Sequence, residues 1–183
     1  MGAPDRLYYT DDPAACALLA QDPFALLMGV AIDQQVTVQK AFAGPLALKE
    51  RVGTLDPEKL AGLDLEEAFR EKPAIHRFPG TMAERVRELA AVVTDEYGGD
   101  AARIWNGAKD ADDLRRRLEA LPGFGPMKVT TLGSILAKRF GVKQAQALVP
   151  NHPTLGDVDS PQALADYQAA KRAHKAKLRA AAG

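Results

Sequence analysis

The chain of 183 residues contains one cysteine, Cys16, and aromatic residues make up only 6% of it. A single cysteine cannot form a disulfide, a cysteine-ligated zinc site or an iron–sulfur cluster within one chain. No apolar run is long enough to cross a membrane, and the segment Met1–Arg6 lacks the basic-then-apolar pattern of a signal peptide. We therefore expect a cytoplasmic protein in which Cys16 is a small buried apolar residue.

Strand-like alternation hardly appears, whereas helical periodicity recurs along the chain. We expect Pro45 to kink or interrupt the second helix, and residues 142–160 to form a loop. The pattern predicts an all-α protein of many short helices joined by tight turns. The predicted helices cover residues 24–35, 37–51, 58–61, 65–71, 81–97, 100–105, 110–120, 126–140 and 161–181.

An excess of one charge sign is also missing, since 24 Lys and Arg balance 24 Asp and Glu. The balance hides an asymmetry, because residues 1–100 hold 10 basic and 17 acidic side chains while residues 101–183 hold 14 and 7. A basic half favours a polyanionic partner. The last predicted helix has no acid after Asp166, so it could neutralise several phosphates, or it could be a solvated tail.

The segment Leu121–Lys128 reads Leu-Pro-Gly-Phe-Gly-Pro-Met-Lys and is the most informative in the chain. Gly123 and Gly125 tolerate positive φ and let the backbone approach another polymer closely. The helix that starts at Pro126 begins with amides that have no intrahelical acceptor, at the positive end of its dipole. A phosphate oxygen suits such a turn, so the pattern predicts contact with a nucleic-acid backbone. An ordinary helix–helix turn with a glycine C-cap is the alternative.

Three motifs together resemble those of the helix-hairpin-helix (HhH-GPD) DNA glycosylase superfamily. They are the residues 32–35 (Ile-Asp-Gln-Gln), the helical segment Met82–Ala90 and the hairpin Leu121–Lys128, in the family's order and spacing. The resemblance covers about residues 20–150 and marks an atypical member without iron–sulfur cysteines. It implies a two-lobed helical fold with a DNA cleft between the lobes. A mainly helical-bundle lobe would span residues 22–107, the hairpin region 108–145 and the basic C-terminal helix 160–183.

In such a fold the damaged nucleotide rotates out of the duplex into the cleft. By this resemblance, Gln34 and Gln35 would lie near the minor groove and fill the gap or contact the opposite strand, unless they are merely solvated residues at a helix end. Carbonyls of Leu121 and Phe124 would hold a K⁺ or Na⁺ ion that strengthens the grip on phosphate. The implied DNA-binding residues are Gln34, Gln35, Leu121, Gly123, Phe124, Gly125, Met127 and Lys128.

Family members that also cut the strand carry a nucleophilic lysine two residues after the second hairpin glycine. Met127 takes that position here. Lys128 follows, but one helical step rotates a side chain by about 100°, so we expect Lys128 to contact phosphate instead. The resemblance therefore implies hydrolysis of the N-glycosidic bond without lyase activity.

The catalytic carboxylate of the family belongs to a Val-Asp-x-His string, whereas this chain has Val-Pro-Asn-His at residues 149–152. Asp157 and Asp159 follow shortly after and could supply the carboxylate if the loop folds back. Asp159 could equally cap the helix that starts at Pro161. Tyr8, Tyr9, Phe78 and Trp105 could stack on a flipped base or belong to the core.

The sequence thus predicts a monofunctional base-excision repair glycosylase that acts as a monomer on double-stranded DNA, in the cytoplasm or, in a bacterium, with the nucleoid. One alternative is a DNA-binding protein that keeps the hairpin and has lost the carboxylate, which the residues Pro150 and Asn151 favour. The other is a helical scaffold with a purely structural turn, which the segregated charges disfavour.

Overall fold

A computed structural model describes residues 3–183, which form ten α-helices and two 3₁₀ helices and contain no strand. The all-α class expected from the periodicity is therefore correct for this part of the chain. Met1 and Gly2, the first residues of the N-terminal segment discussed above, lie outside it. The helices are α1 Pro13–Gln21, α2 Pro23–Ile32, α3 Val38–Val52, α4 Pro57–Ala61, α5 Glu66–Arg70, α6 Pro79–Tyr97, α7 Ala102–Asn106, α8 Ala111–Glu119, α9 Pro126–Phe140 and α10 Pro161–Ala182, with 3₁₀ helices at Lys143–Leu148 and Leu155–Asp157.

Proline and an acidic or hydroxyl cap define most helix starts. Six of the helices begin at a proline, whose missing N–H is no loss in the first turn. The side chain before the proline often accepts a first-turn amide, as Asp22 does from Phe24 at 2.9 Å and Ser160 does from Ala163 at 3.0 Å. α9 differs, because its N-cap is Gly125 and no side chain caps it.

Helix α2 forms the centre of the core. Every residue from Phe24 to Ile32 is buried, and α2 packs against α1, α3, α6 and α9. A Cβ at Gly29 would lie 2.5 Å from Phe42 Cδ1, so this glycine lets α2 and α3 approach closely. Within residues 3–183 no single helix has both the length and the apolarity to cross a membrane, and α1 with α2 reaches them only as a pair bent by 112°.

Three local features differ from the sequence prediction. Helix α1 was not expected, and the segment 142–160 contains two 3₁₀ helices instead of a plain loop. Helix α3 runs without a break through Pro45. Gly44, Pro45 and Leu48 are buried on its core face, so packing outweighs the one backbone hydrogen bond that the proline removes.

Arg51 at the end of α3 fixes the path of the chain between α5 and α6. Its guanidinium donates to the carbonyls of Ala68 at 2.8 Å, Glu71 at 2.9 Å and Pro73 at 2.8 Å, and it pairs with the Glu71 carboxylate at 2.9 Å. A guanidinium that donates to three carbonyls and pairs with a carboxylate holds a chain segment strongly. The segment it holds leads directly to His76, which belongs to the site described next.

Candidate nucleic-acid interface

The turn between α8 and α9 takes its shape from two buried side chains and one glycine. Leu121 and Phe124 are 3% and 6% exposed and anchor the turn to the core. The Phe124 amide donates to the Leu121 carbonyl at 3.1 Å, and Gly123 between them has φ 74°, in the left-handed region that favours glycine. The turn is therefore anchored on the side that faces the hydrophobic core.

The outer side of the turn carries main-chain donors without partners. Within residues 3–183, the amides of Gly123, Gly125, Met127 and Lys128 make no hydrogen bond. Gly123, Gly125 and Met127 are exposed, and a Cβ at Gly125 would meet no atom within 4 Å. Donors at the start of a 15-residue helix, open to solvent, are suited to bind an anionic oxygen.

Arg85 of α6 adds a cation to this turn. Its guanidinium lies so close to Gly123 that a Cβ there would collide with it. Arg85 forms no ion pair with any described residue. Arg85 belongs to the Met82–Ala90 motif, but sequence analysis did not assign it a role, because only the folded chain brings it to the hairpin.

The hairpin carbonyls differ in their availability to a cation. The Leu121 carbonyl already accepts the Phe124 amide, whereas the Phe124 carbonyl accepts no hydrogen bond within the described chain. Residues 3–183 contain no cluster of His, Cys, Asp and Glu that could hold a metal ion. Any ion at the hairpin would therefore depend on carbonyl oxygens, with Phe124 as the freer one.

Lys128 lies on the inner side of the hairpin. Its Nζ donates to the Ala31 carbonyl and to Gln34 Oε1, both at 2.6 Å. Burial, together with the nearby charge of Arg85, lowers the pKa of Lys128 to about 8. Lys128 therefore ties α9 to the end of α2 instead of extending into solvent, while its neighbour Met127 is 76% exposed.

Residues Ile32–Gln35, which we call the α2–α3 corner, are also held from the opposite side by His76. The His76 ring Nε2 lies 3.1 Å from the Ile32 carbonyl and 3.0 Å from the Gln34 carbonyl, and Nδ1 accepts the Phe78 amide at 3.0 Å. These partners require a neutral ring with its proton on Nε2. Burial of His76 lowers its pKa and favours the same neutral form.

The corner presents polar and apolar groups next to each other. Gln35 is exposed and has φ 56°, which is uncommon for a residue with a side chain. Phe78 is 40% exposed, with the Arg77 guanidinium 4.9 Å from its ring centroid. Tyr9 and Trp105, by contrast, are buried in the core and do not reach this surface.

Asp33 is the carboxylate that the fold places at this corner. Its side chain accepts no hydrogen bond and forms no ion pair within residues 3–183, and its oxygens keep contact with solvent. Partial burial raises the pKa of Asp33 to about 6, although the charges of Lys171 and Lys128 oppose the rise. The sequence places Asp33 within the motif at residues 32–35 but gives no sign of a role for it.

Helix α10 approaches the same corner. Two amide hydrogen bonds, of 2.9 and 2.8 Å, join Gln168 of α10 to Gln39 of α3. Tyr167 lies near enough to Asp33 for the carboxylate charge to contribute, after burial, to a raised tyrosine pKa. Beyond Gln168 every residue of α10 is exposed, including the basic residues Lys171, Arg172, Lys175, Lys177 and Arg179.

Asp157 and Asp159 lie near the C-terminal end of α9, although Asp157, like Asp33, is close enough to Tyr167 for its charge to contribute, after burial, to the raised tyrosine pKa. Asp157 pairs with Lys138, accepts the Thr154 amide at 2.9 Å and closes a capping box. Burial alone would raise the pKa of Asp157, but the Lys138 ammonium and the Thr154 amide hold it below its ordinary value. Asp159 is exposed and borders an open depression of about 400 Å³ with Arg139.

The distance along α9 separates these carboxylates from the hairpin. Lys138 follows Lys128 by ten residues, which corresponds to about 15 Å of helix. The structure therefore brings together Gln34, Gln35, Arg85, Lys128 and the hairpin, with Asp33 among them, and it leaves Asp157 at the other end of α9.

Comparisons of the chain with models of protein families, with curated proteins and with solved structures found no match. The resemblance to helix-hairpin-helix glycosylases therefore depends on the three sequence motifs alone.

Proposed function

We propose that this protein binds double-stranded DNA through its hairpin and hydrolyses the N-glycosidic bond of a damaged base that has rotated out of the duplex. The observation that carries the proposal is the set of four unpaired amides, those of Gly123, Gly125, Met127 and Lys128, next to the Arg85 guanidinium, which forms no ion pair with any described residue. Such donors bind phosphate oxygens without reading the base sequence.

The geometry of the neighbouring corner supports an action on a distorted duplex. Gln35 is exposed and carries an amide that can donate and accept at base edges, whereas the Gln34 amide oxygen accepts Lys128 and leaves only its NH₂ group to donate. Phe78 and Met127 expose apolar side chains, of the kind that enter base steps when a duplex is kinked. In a two-lobed glycosylase-like fold, both would face the DNA cleft.

The proposed activity is hydrolysis without strand cleavage. Met127 takes the place of the lyase lysine, and the Lys128 ammonium is engaged by two oxygens at 2.6 Å. A K⁺ or Na⁺ ion at the carbonyls of Leu121 and Phe124 remains part of the proposal. We further propose that the protein acts as a monomer and, in a bacterium, associates with the nucleoid.

One observation favours a second function, that of a DNA-binding protein without catalysis. Asp157 is fully engaged as a cap and ion-pair partner, and Asp159 borders a different surface. If no other carboxylate reaches the flipped sugar, the protein would bind and inspect DNA without releasing a base.

Substitution of Gly125 tests the contact with DNA. Gly125 has φ −88° and an open surrounding, so Gly125→Asp and Gly125→Asn both fit, and both residues are good N-caps for α9. Each would satisfy amides that otherwise bind phosphate, and the aspartate adds a negative charge. We expect thermal stability to be kept, and binding of a 20-bp duplex to weaken about tenfold or more for aspartate and less for asparagine.

Fluorescence anisotropy at several salt concentrations measures this binding. The wild type should lose affinity steeply as salt increases, to a similar extent for unrelated sequences. Salt-insensitive or absent binding by the wild type, or equal affinity of wild type and Gly125→Asp, would contradict the proposal. The protein is then incubated with oligonucleotides that contain uracil, hypoxanthine, oxidised or alkylated bases, and the products are treated with alkali. Strand cleavage after this treatment would indicate a glycosylase, and intact strands would indicate a non-catalytic DNA-binding protein.

A further inference from the structure

Building on the proposed function, we infer that Asp33 is the catalytic base, and that its carboxylate activates the water that attacks the flipped nucleotide. The sequence pointed instead to Asp157 and Asp159. The fold places these three carboxylates at different positions relative to the hairpin.

Asp33 lies beside the hairpin. Lys128 is the third residue of α9, and its ammonium bonds to Ala31 and Gln34, which lie on either side of Asp33 in the chain. A group next to the phosphate clamp is at the right place for a nucleotide adjacent to the clamped phosphate. Asp157 instead pairs with Lys138, ten residues further along α9 than Lys128, and is engaged there as a cap.

Asp33 is also chemically available. Both of its oxygens lack protein donors within residues 3–183 and keep contact with solvent, so they can accept a water molecule. Most carboxylates near a helix end act as caps, but the C-cap position of Asp33 offers its side chain no free amide to cap. A partly buried carboxylate without a structural partner costs stability, which is typical of a functional group.

The groups that face Asp33 come from three elements. Lys128 approaches from α9, Lys171 and Tyr167 approach from α10, and neutral His76 holds the corner from the segment before α6. The two ammonium groups favour the ionised form of Asp33 and would also stabilise a negative leaving group. The tyrosine hydroxyl and the Gln35 amide are the neutral polar groups nearby.

The step balances with water as the only co-reactant. The water oxygen forms a bond to C1′ of the deoxyribose while a water proton passes to the Asp33 carboxylate. The bond between C1′ and the base nitrogen breaks, and its electron pair leaves with the base. The proton held by Asp33 then reaches the base through solvent, so the products are a free base and a deoxyribose with a hydroxyl on C1′.

A base must be ionised, so the rate should depend on pH. Because burial raises the pKa of Asp33 to about 6, base release should fall as pH decreases through about 6. Lys128 keeps its charge below its pKa of about 8, so the electrostatic support for the ionised carboxylate weakens only above that value.

The experiment compares Asp33→Asn with Asp157→Asn and Asp159→Asn in the full chain, using a duplex that contains the base the wild type releases most quickly. We expect Asp33→Asn to reduce single-turnover release about 100-fold or more. Its affinity for DNA should be kept or rise slightly, since the substitution changes no hydrogen bond and removes one negative charge beside the phosphate site. Asp157→Asn and Asp159→Asn should retain release.

The outcomes separate this inference from the proposed function. Normal release by Asp33→Asn, or its loss in Asp157→Asn or Asp159→Asn with folding intact, would overturn the assignment and leave the glycosylase standing. Wild-type binding without release of any base in the panel would overturn the inference and leave the DNA-binding protein. Absence of salt-sensitive DNA binding by the wild type would contradict the proposed function, and it would therefore also contradict the role of Asp33 as a catalytic base.

Discussion

Replacing Asp33 by asparagine should make the folded protein more stable at neutral pH, although it removes a charged group. The ionised carboxylate is partly buried and has neither a hydrogen-bond donor nor an ion-pair partner within the described chain. Asparagine has nearly the same shape and no charge to desolvate. The substitution therefore removes a cost of folding without removing a contact.

The size of the effect follows from the two pKa values. The ordinary value for an aspartate is 3.8, and burial raises that of Asp33 to about 6 in the folded chain. At 1.36 kcal/mol for each tenfold change in the equilibrium constant, the difference corresponds to about 3 kcal/mol. Because Asp33 keeps some contact with solvent, we expect a gain of about 2–3 kcal/mol in the free energy of unfolding.

The sign of the pH dependence is fixed by the direction of the shift. Between pH 4 and pH 6 the folded chain binds a proton at Asp33 more strongly than the unfolded chain does, so the wild type loses stability as pH rises. Above about pH 6 Asp33 is ionised in the folded chain as well, so the full free-energy cost of burying its charge is present. Asp33→Asn lacks this ionisation, so the two proteins should become equally stable as pH falls below the unfolded pKa of 3.8 and should differ most above pH 6.

Urea unfolding followed by circular dichroism at pH 4.5 and pH 7.5 measures the difference. Asp159→Asn is the matched control, because Asp159 is exposed and its replacement should change stability little at either pH. Equal stability of wild type and Asp33→Asn at pH 7.5, or a variant less stable than wild type, would refute the argument that Asp33 is held at a cost.

Two further predictions concern the proposed DNA-binding surface. Gly123→Ala forces a side chain into φ 74° and onto the Arg85 guanidinium. We expect the free energy of unfolding to fall by about 1–2 kcal/mol, the melting temperature to fall by about 3–6 °C and DNA binding to weaken. Gly125→Ala is the matched control for stability, and an unaltered melting temperature for Gly123→Ala would contradict the predicted strain. Replacing the exposed Lys175, Lys177 and Arg179 together by glutamine should leave unfolding unchanged and lower the slope of log affinity against log salt by up to about 3; an unchanged slope would show that α10 does not touch DNA.

Local signals in the sequence were sufficient for most helix boundaries. The hairpin helix was predicted at residues 126–140 and is observed at Pro126–Phe140, because a proline marks its start and Gly141 its end. Helix α1 was missed although it has the same signals, an Asp12 cap and Pro13. It is nine residues long and mostly alanine and leucine, so its amphipathic pattern is weak.

Local sequence signals were also sufficient to predict part of the candidate site. The hairpin glycines act through local backbone geometry, and the sequence therefore indicated them directly. Arg85, Asp33 and Lys128 act through contacts between residues that lie far apart in the chain, such as the bond between Lys128 and Ala31. No periodicity or spacing in one sequence reports such contacts, nor does it report that Asp157 pairs with Lys138 and accepts the Thr154 amide.

The α2–α3 corner concentrates features that a chain selected only for stability would avoid. Within four residues it holds an unpaired, partly buried carboxylate at Asp33 and a positive φ at Gln35. Yet the surroundings fix it firmly, since His76 bonds to two of its carbonyls and Lys128 bonds to the Gln34 amide oxygen. A strained segment persists only where neighbouring structure determines it, and here the two fastenings come from separate elements, one before α6 and one in α9. Because the second fastening is in the first turn of the hairpin helix and α9 also packs against α2, a displacement of the hairpin by a bound phosphate would be transmitted to the residues on both sides of Asp33.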